Sequence, residues 1–380
     1  MTHCRFEDRL SGQARVLSGL VRRIAAHSVA DLPTAFTEIE RAQQAGNWIC
    51  LLLDYELGEW LEPSLQRDHH PDSVPSGFAA PRLTALVFDR MQIELPWSSE
   101  VLDDSSATIT AVAPLLEHRT YVKRIEEIKR WIAAGEVYQI NTTFAFEVLI
   151  QGSAQSLYRQ LANRHPSAHA AFIQEQGRSI LSFSPELFLQ RLGTTLVTRP
   201  MKGTAPRSAD PLEDQRLGQA LQHSEKDRAE NLMIVDLLRN DLVRIALPGS
   251  VIAAPIFSLE AYPSVWTMTS TIQATIEQKT SLEQILRALF PCGSITGAPK
   301  IAAMQRIQQT EAQARGLYCG SIGWLAPNGD FSLNVAIRTL LLDEGGKGTY
   351  QVGGGIVHDS IAEQEWQECH WKARIVIDKS

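Results

Sequence analysis

Residues 121–150, YVKRIEEIKRWIAAGEVYQINTTFAFEVLI, hold a helix and a strand in direct succession. Val122, Ile125, Ile128 and Ile132 recur at the three-to-four-residue spacing that keeps one helix face apolar, and Gly135 supplies a natural stop. From Val137 to Ile150 β-branched and aromatic residues dominate, so this segment reads as a strand. The same mixture continues to the C-terminus. A short helix is predicted near 156–163, strands near 170–174 and 179–183, and a hairpin turning at Gly193-Thr194. Helices follow over 211–222 and 225–242, the second opened by Ser224 with Asp227 three residues on. After a helix over 281–290, the Gly-rich PCGSITGAPK leads into another helix, then hairpins turn at Asn328-Gly329 and at Glu344-Gly345-Gly346. The last helix is predicted to start at Ser360, with Glu363 completing a capping box, and to run to about Asp378.

Upstream, the pattern is weaker. Residues 1–61 read as a helix-rich start followed by an apolar strand around Trp48–Leu53, and 83–95 is another strand candidate. EPSLQRDHHPDSVPSGFAAP and WSSEVLDDSSATITAVAP read as surface loops. His69 and His70 in the first lack an acid or thiol at ligand spacing, which points to a solvated pair. Strands and helices mix without strict alternation, so the expected class is α+β and layered, not a doubly wound sheet. The chain divides into an N-terminal part, 1–115, and a motif-bearing part, 116–380.

Composition narrows the function classes. With 44% hydrophobic and 21% charged residues, the 380-residue chain has the profile of a globular protein with a substantial core. A net charge of −7 argues against a nucleic-acid-binding face, so an anionic substrate would need local Lys, Arg or metal charge. The five cysteines are odd in number and lack a C-x-x-C pair, which indicates neither a disulfide framework nor a zinc site. MTHCRFEDRL has no long apolar run and no stretch reaches the roughly 18 apolar residues of a membrane span, so a cytoplasmic protein is expected.

Several residues could carry chemistry. On the last predicted helix Glu365, Glu368 and Lys372 fall within roughly 60° of arc, two acids and a base on one face. A solvated salt-bridged stripe would look the same. The preceding GGGIVHDS permits close backbone approach to a ligand, and this favours a site. Glu230, in ENLMIVDLLRND, would make a third carboxylate if it faced that stripe, and three together call for protons or a hard cation such as Mg²⁺. Lys202, in RPMKGTAPR beside Gly203 and Thr204, reads as a solvated loop lysine or, if held in a pocket, as a nucleophile. Glu186, in SPELFL after Pro185, is positioned to be a partly buried general acid. Arg338 interrupts the apolar run VAIRTLLL, where an inward guanidinium could read a carboxylate. Cys319, in LYCGSIG, has no evident base partner and reads as a small buried residue.

Taken together, VYQINTTF, SPELFL, RPMKGT, ENLMIVDLLRND, GSITGAPK, GLYCGSIG, AIRT and GGGIVHDSIAEQEWQE resemble the chorismate-utilising enzymes, in that family's order and near its spacing. The family includes anthranilate, aminodeoxychorismate, isochorismate and salicylate synthases. The likeness runs from about Tyr121 to the C-terminus, and the N-terminal part, with LLLDYELG, looks like a diverged version of the fold's other half. The resemblance implies a sandwich of two antiparallel β-sheets with helices packed outside, as in anthranilate synthase component I. It implies that Glu230, Glu365 and Glu368 hold Mg²⁺ against the ring carboxylate of chorismate. Arg338, Tyr318 and the Gly354-Gly355 backbone match groups that take the enolpyruvyl carboxylate, Thr296 one that lines the ring, and Lys372 a lysine near the carboxylates. Glu186 matches the acid that helps the 4-hydroxyl leave.

Two positions separate the branches of the family. Water-adding members carry a lysine base where this chain has Gln139. Anthranilate synthases usually carry Ala where Lys202 stands, whereas aminodeoxychorismate synthases carry this lysine, whose implied role is covalent attack at C2 before ammonia enters at C4. Thr267 stands where many relatives have a His linked to pyruvate elimination, a departure compatible with a product that keeps its enolpyruvyl group. The implied partners are a glutamine amidotransferase supplying ammonia and a downstream aminodeoxychorismate lyase. An anthranilate- or isochorismate-forming activity, or a non-catalytic chorismate-binding relative, are the competing readings.

Overall fold

A computed structural model describes residues 2–65, 80–98, 107–262 and 265–377. His69 and His70 lie outside the described residues. The N-terminal part contains strands β1 (His3–Asp8) and β2 (Gln13–Ala26), helix α1 (Leu32–Gln44), β3 (Trp48–Leu53), the short α2 (Leu57–Leu61), β4 (Leu83–Glu94) and β5 (Thr108–Pro114). Next come α3 (His118–Ala133), β6 (Gln139–Gln151), α4 (Ala154–Arg164), β7 (His169–Glu175), β8 (Arg178–Ser184), β9 (Leu187–Leu192), β10 (Thr195–Arg199) and β11 (Met201–Pro206). Helices α5 (Pro211–His223) and α6 (Glu225–Val243) precede β12 (Ile252–Ala253), β13 (Ser258–Ala261), β14 (Val265–Thr269), β15 (Ile272–Thr275) and α7 (Leu282–Leu289). The chain then forms β16 (Gly297–Ala298), α8 (Lys300–Thr310), β17 (Ser321–Leu325), β18 (Phe331–Asn334), β19 (Thr339–Asp343), β20 (Lys347–Ile356), α9 (Ala362–Lys372) and α10 (Arg374–Ile377).

The fold is α+β with extensive antiparallel sheet, as expected. Successive pairings run β5–β6–β20–β19–β8–β7–β1–β2–β4–β3–β17–β18–β9–β10–β15–β12, one antiparallel ladder. Period-two alternation sends successive side chains to opposite faces, and in β3, with Ile49 to Leu53 all buried, both faces are covered. On β3, Cys50 and Leu52 point into a small core shared with Cys4, Phe6, Leu86 and Ile173, while Ile49, Leu51 and Leu53 join the larger core under the helices. Three long-range pairings tie the N-terminal part to the rest: Cys4 lies opposite Ile173, Leu53 opposite Ser321, and Thr108 opposite Gln151. A separate three-stranded sheet, β11–β14–β13, stands beside the ladder with α5 and α6 against it. Among the described residues no helix is long and apolar enough to cross a membrane.

Three expectations need correcting. The start is not helix-rich but strand: β1 and β2 pair from Cys4/Leu17 to Asp8/Gln13. In β2 the alternation is broken where its register with β4 slips between Leu20 and Arg22, so SGLVRRIAA mimics helical spacing. The second supposed loop ends in β5, paired with β6 from Thr108/Gln151 to Pro114/Phe146. The last helix begins later and ends sooner than predicted: Ile361 is the N-cap of α9, without a side-chain cap, and α10 follows as a separate turn. Asp378 lies outside the described residues.

Candidate active site

The Lys202 and Glu186 side chains, Arg338 and the carboxylates of α6 and α9 line one cavity of about 330 Å³. Its floor is the glycine run at the end of β20, where Gly354 and Gly355 pair with Thr142 and Asn141 of β6. A Cβ on Gly355 would stand 3.0 Å from the Gln139 amide and 3.0 Å from Lys202 Nζ, and one on Gly354 would stand 3.2 Å from Glu365 Oε2. The absence of side chains at these two positions therefore leaves the floor open for a ligand against the backbone.

Lys202 projects from β11 and its Nζ lies 3.1 Å from Glu230 Oε2 on α6. The strand is irregular there: its register with β14 shifts between Met201 and Thr204, Gly203 has φ +91, and a Cβ on it would stand 3.1 Å from Asp227 and 3.2 Å from Leu221. Thr267 on β14, opposite Thr204 in the register, donates its hydroxyl to the Gly203 carbonyl at 3.3 Å. Glu186 sits in the corner between β8 and β9, 4% exposed. Ser294 Oγ donates to its Oε1 at 2.7 Å. Burial pushes the Glu186 carboxyl up to about 7; Ser294, the Met201 amide and the Lys202 charge pull the other way without overcoming it. The group is a proton donor poised near neutrality.

On α9, Glu365, Glu368 and Lys372 share one face as the helical spacing predicts. Lys372 Nζ lies 2.7 Å from Glu368 Oε1 and donates to the Gly353 carbonyl at 2.8 Å. Lys372 holds the Glu368 carboxyl below its usual range, against the effect of burial. Burial lifts the Glu365 carboxyl, and the Glu368 charge adds to that. Ser360 does not cap the helix. Its hydroxyl reaches forward to Glu365 Oε1 at 2.7 Å and accepts from the Val357 amide.

The three acids line the same cavity, but they do not converge. Among the described residues no three His, Cys, Asp or Glu side chains are close enough to share a metal ion. Two lysines stand between them instead, Lys202 on Glu230 and Lys372 on Glu368. Arg338 does not interrupt a strand. It precedes β19 with a left-handed backbone, φ 49, and among the described residues no hydrogen bond or ion pair engages its guanidinium. Tyr318 is buried and lines the cavity beside it. Thr204 lies on the rim, exposed.

Two predicted residues stand behind the wall. Thr296 is fully buried and donates its hydroxyl to the Gly293 carbonyl at 3.0 Å, leaving the neighbouring Ser294 and Ile295 to face the cavity. Gln139 is also fully buried, with neither amide atom hydrogen-bonded. Residue-by-residue reading missed Ser294, Asn141, Lys226 and Asp227, all lining residues. Ser294 and Asn141 lie inside quoted motifs, so the signal was present without a role attached. Cys319 is buried and its thiol is pushed up to about 12 by burial, which fits an inert core position.

The cavity thus sets a buried acid and a lysine over a glycine floor, beside three carboxylates and a guanidinium. Residues 5–378 match the family model for chorismate binding enzymes, and the chain belongs to that family. It is 40% identical over 257 residues to aminodeoxychorismate synthase component 1 of Salmonella typhimurium, covering 68% of this chain and 56% of that protein. The namesake from Klebsiella aerogenes is 39% identical over 293 residues, 76% of this chain and 65% of that protein. Anthranilate synthase component 1 of Methanothermobacter thermautotrophicus is 34% identical over 287 residues, 74% and 62% respectively. The chain thus spans less than two-thirds of the length of these curated relatives. Among solved structures, anthranilate synthase component I of Streptococcus pneumoniae superposes with a TM-score of 0.81 at 23% identity, over 95% of this chain and 91% of that one. A 2,3-dihydroxybenzoate-specific isochorismate synthase from Bacillus anthracis gives 0.77 at 22%, over 99% and 95%. These two establish the shared fold.

Proposed function

We propose that this chain binds chorismate together with Mg²⁺ and exchanges the ring 4-hydroxyl for an amino group, forming 4-amino-4-deoxychorismate for 4-aminobenzoate and folate synthesis. The observation that carries the reading is the pairing, in one cavity, of the Lys202 amine with an acid, Glu186, whose carboxyl titrates at about 7. The names of the relatives at about 40% identity support it.

In this reading Arg338 and Tyr318 take the enolpyruvyl carboxylate and the backbone of Gly354 and Gly355 lets the ring lie close. Glu186, aligned by Ser294, gives its proton to the departing 4-hydroxyl. Lys202 must first leave Glu230 and shed a proton; its lone pair then bonds to C2, both conjugated ring double bonds shift by one position, and the C4–O bond breaks to release water. Ammonia adds at C4, the electrons return through the ring, and the C2–N bond breaks to restore the lysine amine. Two allylic displacements replace one difficult substitution.

Glu230, Glu365 and Glu368 offer only oxygen donors, and the Glu365 carboxyl, lifted by burial and further by the Glu368 charge, would be favoured as a carboxylate by a hard cation, so the donor set fits Mg²⁺. When bound, the ion would supply a doubly positive centre for a substrate carboxylate. The two lysines that now neutralise Glu230 and Glu368 would have to turn aside.

Ammonia is mostly protonated near neutral pH, so a glutamine amidotransferase is the proposed source, with a lyase acting on the product and the cytoplasm as the location. The test is incubation with chorismate, a magnesium salt and an ammonium salt, with and without aminodeoxychorismate lyase. Formation of 4-aminobenzoate only when lyase is added is expected. Fluorescent anthranilate without lyase would overturn the assignment.

A further inference from the structure

We propose that Arg315, which does not itself line the cavity, is a positioning residue that holds the Ser294–Ile295 segment, and through it Glu186, in register with the floor strand β6. The inference rests on Glu186 being the acid of the site.

Arg315 is 2% exposed, and its guanidinium is engaged on every side. Nε donates to Glu311 Oε2 at 2.8 Å, and one terminal nitrogen donates to the Ile295 carbonyl at 3.0 Å. The other donates to the Asn141 carbonyl at 2.6 Å and to Glu311 Oε1 at 2.9 Å. The Tyr55 ring lies 4.4 Å from the guanidinium carbon. The main chain of Arg315 adds two further ties: its amide donates to Glu56 Oε1 at 2.7 Å, and its carbonyl accepts from Gln351 Nε2 of β20 at 2.8 Å.

Burying an ion pair this completely is no route to stability, since apolar side chains of like volume fill such space as well or better. What the guanidinium does that a Leu could not is grip two carbonyls at once. Both belong to segments that form the site. Ile295 adjoins Ser294, the donor to Glu186, and Asn141 lines the cavity beneath the glycine floor. Glu311 extends the grip by accepting from the Thr143 amide at 2.8 Å and hydroxyl at 3.1 Å, two residues further along β6. A lysine keeps the charge but has a single nitrogen, which cannot reach both carbonyls and both carboxylate oxygens in one plane.

The test compares native protein with Arg315→Lys and with the Arg315→Gln/Glu311→Gln double variant, which leaves no unpaired buried charge if the lysine variant fails to fold. Two readouts are taken. The first, independent of turnover, is the titration of the Glu186 side-chain carboxyl by carbon NMR, assigned with Glu186→Gln. Lys202, Cys292 and Ser294 are the polar and titratable side chains that face it. Loosening the Ser294 hydrogen bond removes a contact that lowers this carboxyl, so the midpoint should move upward in either variant. The second readout is steady-state turnover of chorismate, where kcat should fall by about tenfold or more while KM changes by less than about threefold, as expected when a catalytic group is misplaced and the binding groups are not. An unshifted Glu186 midpoint in a folded variant overturns the proposal, as does a kcat loss no larger than the loss of folded protein. Absence of turnover in the native protein would instead count against the proposed function, and the NMR comparison would still decide the role of Arg315.

Discussion

Glu186 and Lys202 are ordinary residue types made unusual by where the chain puts them. A carboxyl between two strands, 4% exposed, is held near 7 by burial, well above the ordinary glutamate value of 4.5. Because the folded-state pKa is raised, Glu186 favours folding fully only below pH 4.5, and that contribution is lost as pH rises through about 7. Glu186→Gln should therefore gain stability relative to native protein across this window, by about 3 kcal/mol at most above it, measurable by denaturant melts at pH 5 and pH 8. The same variant should lose amination, and native kcat should decline on the alkaline side of the window; a flat native profile from pH 6 to 8 would remove Glu186 from the acid role. Lys202→Ala should abolish most 4-amination while chorismate still binds, checked by calorimetric titration beside the lyase-coupled assay. Full amination in that variant would mean direct attack by ammonia. Gly355→Ala places a carbon 3.0 Å from both Gln139 and Lys202, so KM for chorismate should rise several-fold without a comparable loss of thermal stability.

Helix α9 shows how far periodicity alone carries. Its spacing put Glu365, Glu368 and Lys372 on one face, and the structure has them there, lining the cavity. What periodicity could not say is which neighbour each acid would choose: Glu368 took Lys372 and Glu365 took Ser360. A serine followed three residues later by Glu is a cap in many helices, but here Ser360 turns toward the site and Glu363 pairs with His118 on α3. In Glu368→Gln the partner of Lys372 becomes neutral, and the magnesium concentration giving half-maximal turnover should rise by about tenfold; a normal magnesium titration would take Glu368 out of the ion's reach. Strand β6 was equally legible because its residues are apolar and β-branched along nearly its whole length. Strands β1 and β2 were not, since a slipped register and Arg22-Arg23 on an exposed stretch disguise their alternation. Gln139 was identified by position, whereas its two unpaired amide atoms depend on packing that no single segment encodes.

At the scale of the whole molecule the described residues of the N-terminal part contribute no side chain to the cavity lining, yet the part that holds the cavity leans on them. β1 closes the free edge of β7, β3 closes that of β17, and Tyr55 and Glu56 pack against Arg315. Residues 116–380 expressed alone should consequently fail to give a cooperative melt, because the edges of β6, β7 and β17 and the face carrying Ile173, Ile180 and Ile322 lose their cover. A sharp thermal transition for that fragment by circular dichroism would contradict this. The layered class was readable from the order of elements, while the single continuous ladder was not, because strand order depends on contacts between segments far apart in sequence.

The pairing of Leu53 with Ser321 also bears on biogenesis. On the ribosome β3 emerges long before β17 exists; at roughly 5–20 residues per second the wait is on the order of 15–50 s. Throughout it, the apolar strand WICLLL can pair with β4 but has its other edge open, and a holdase or slow dilution is the condition under which high yields of this protein should be recovered.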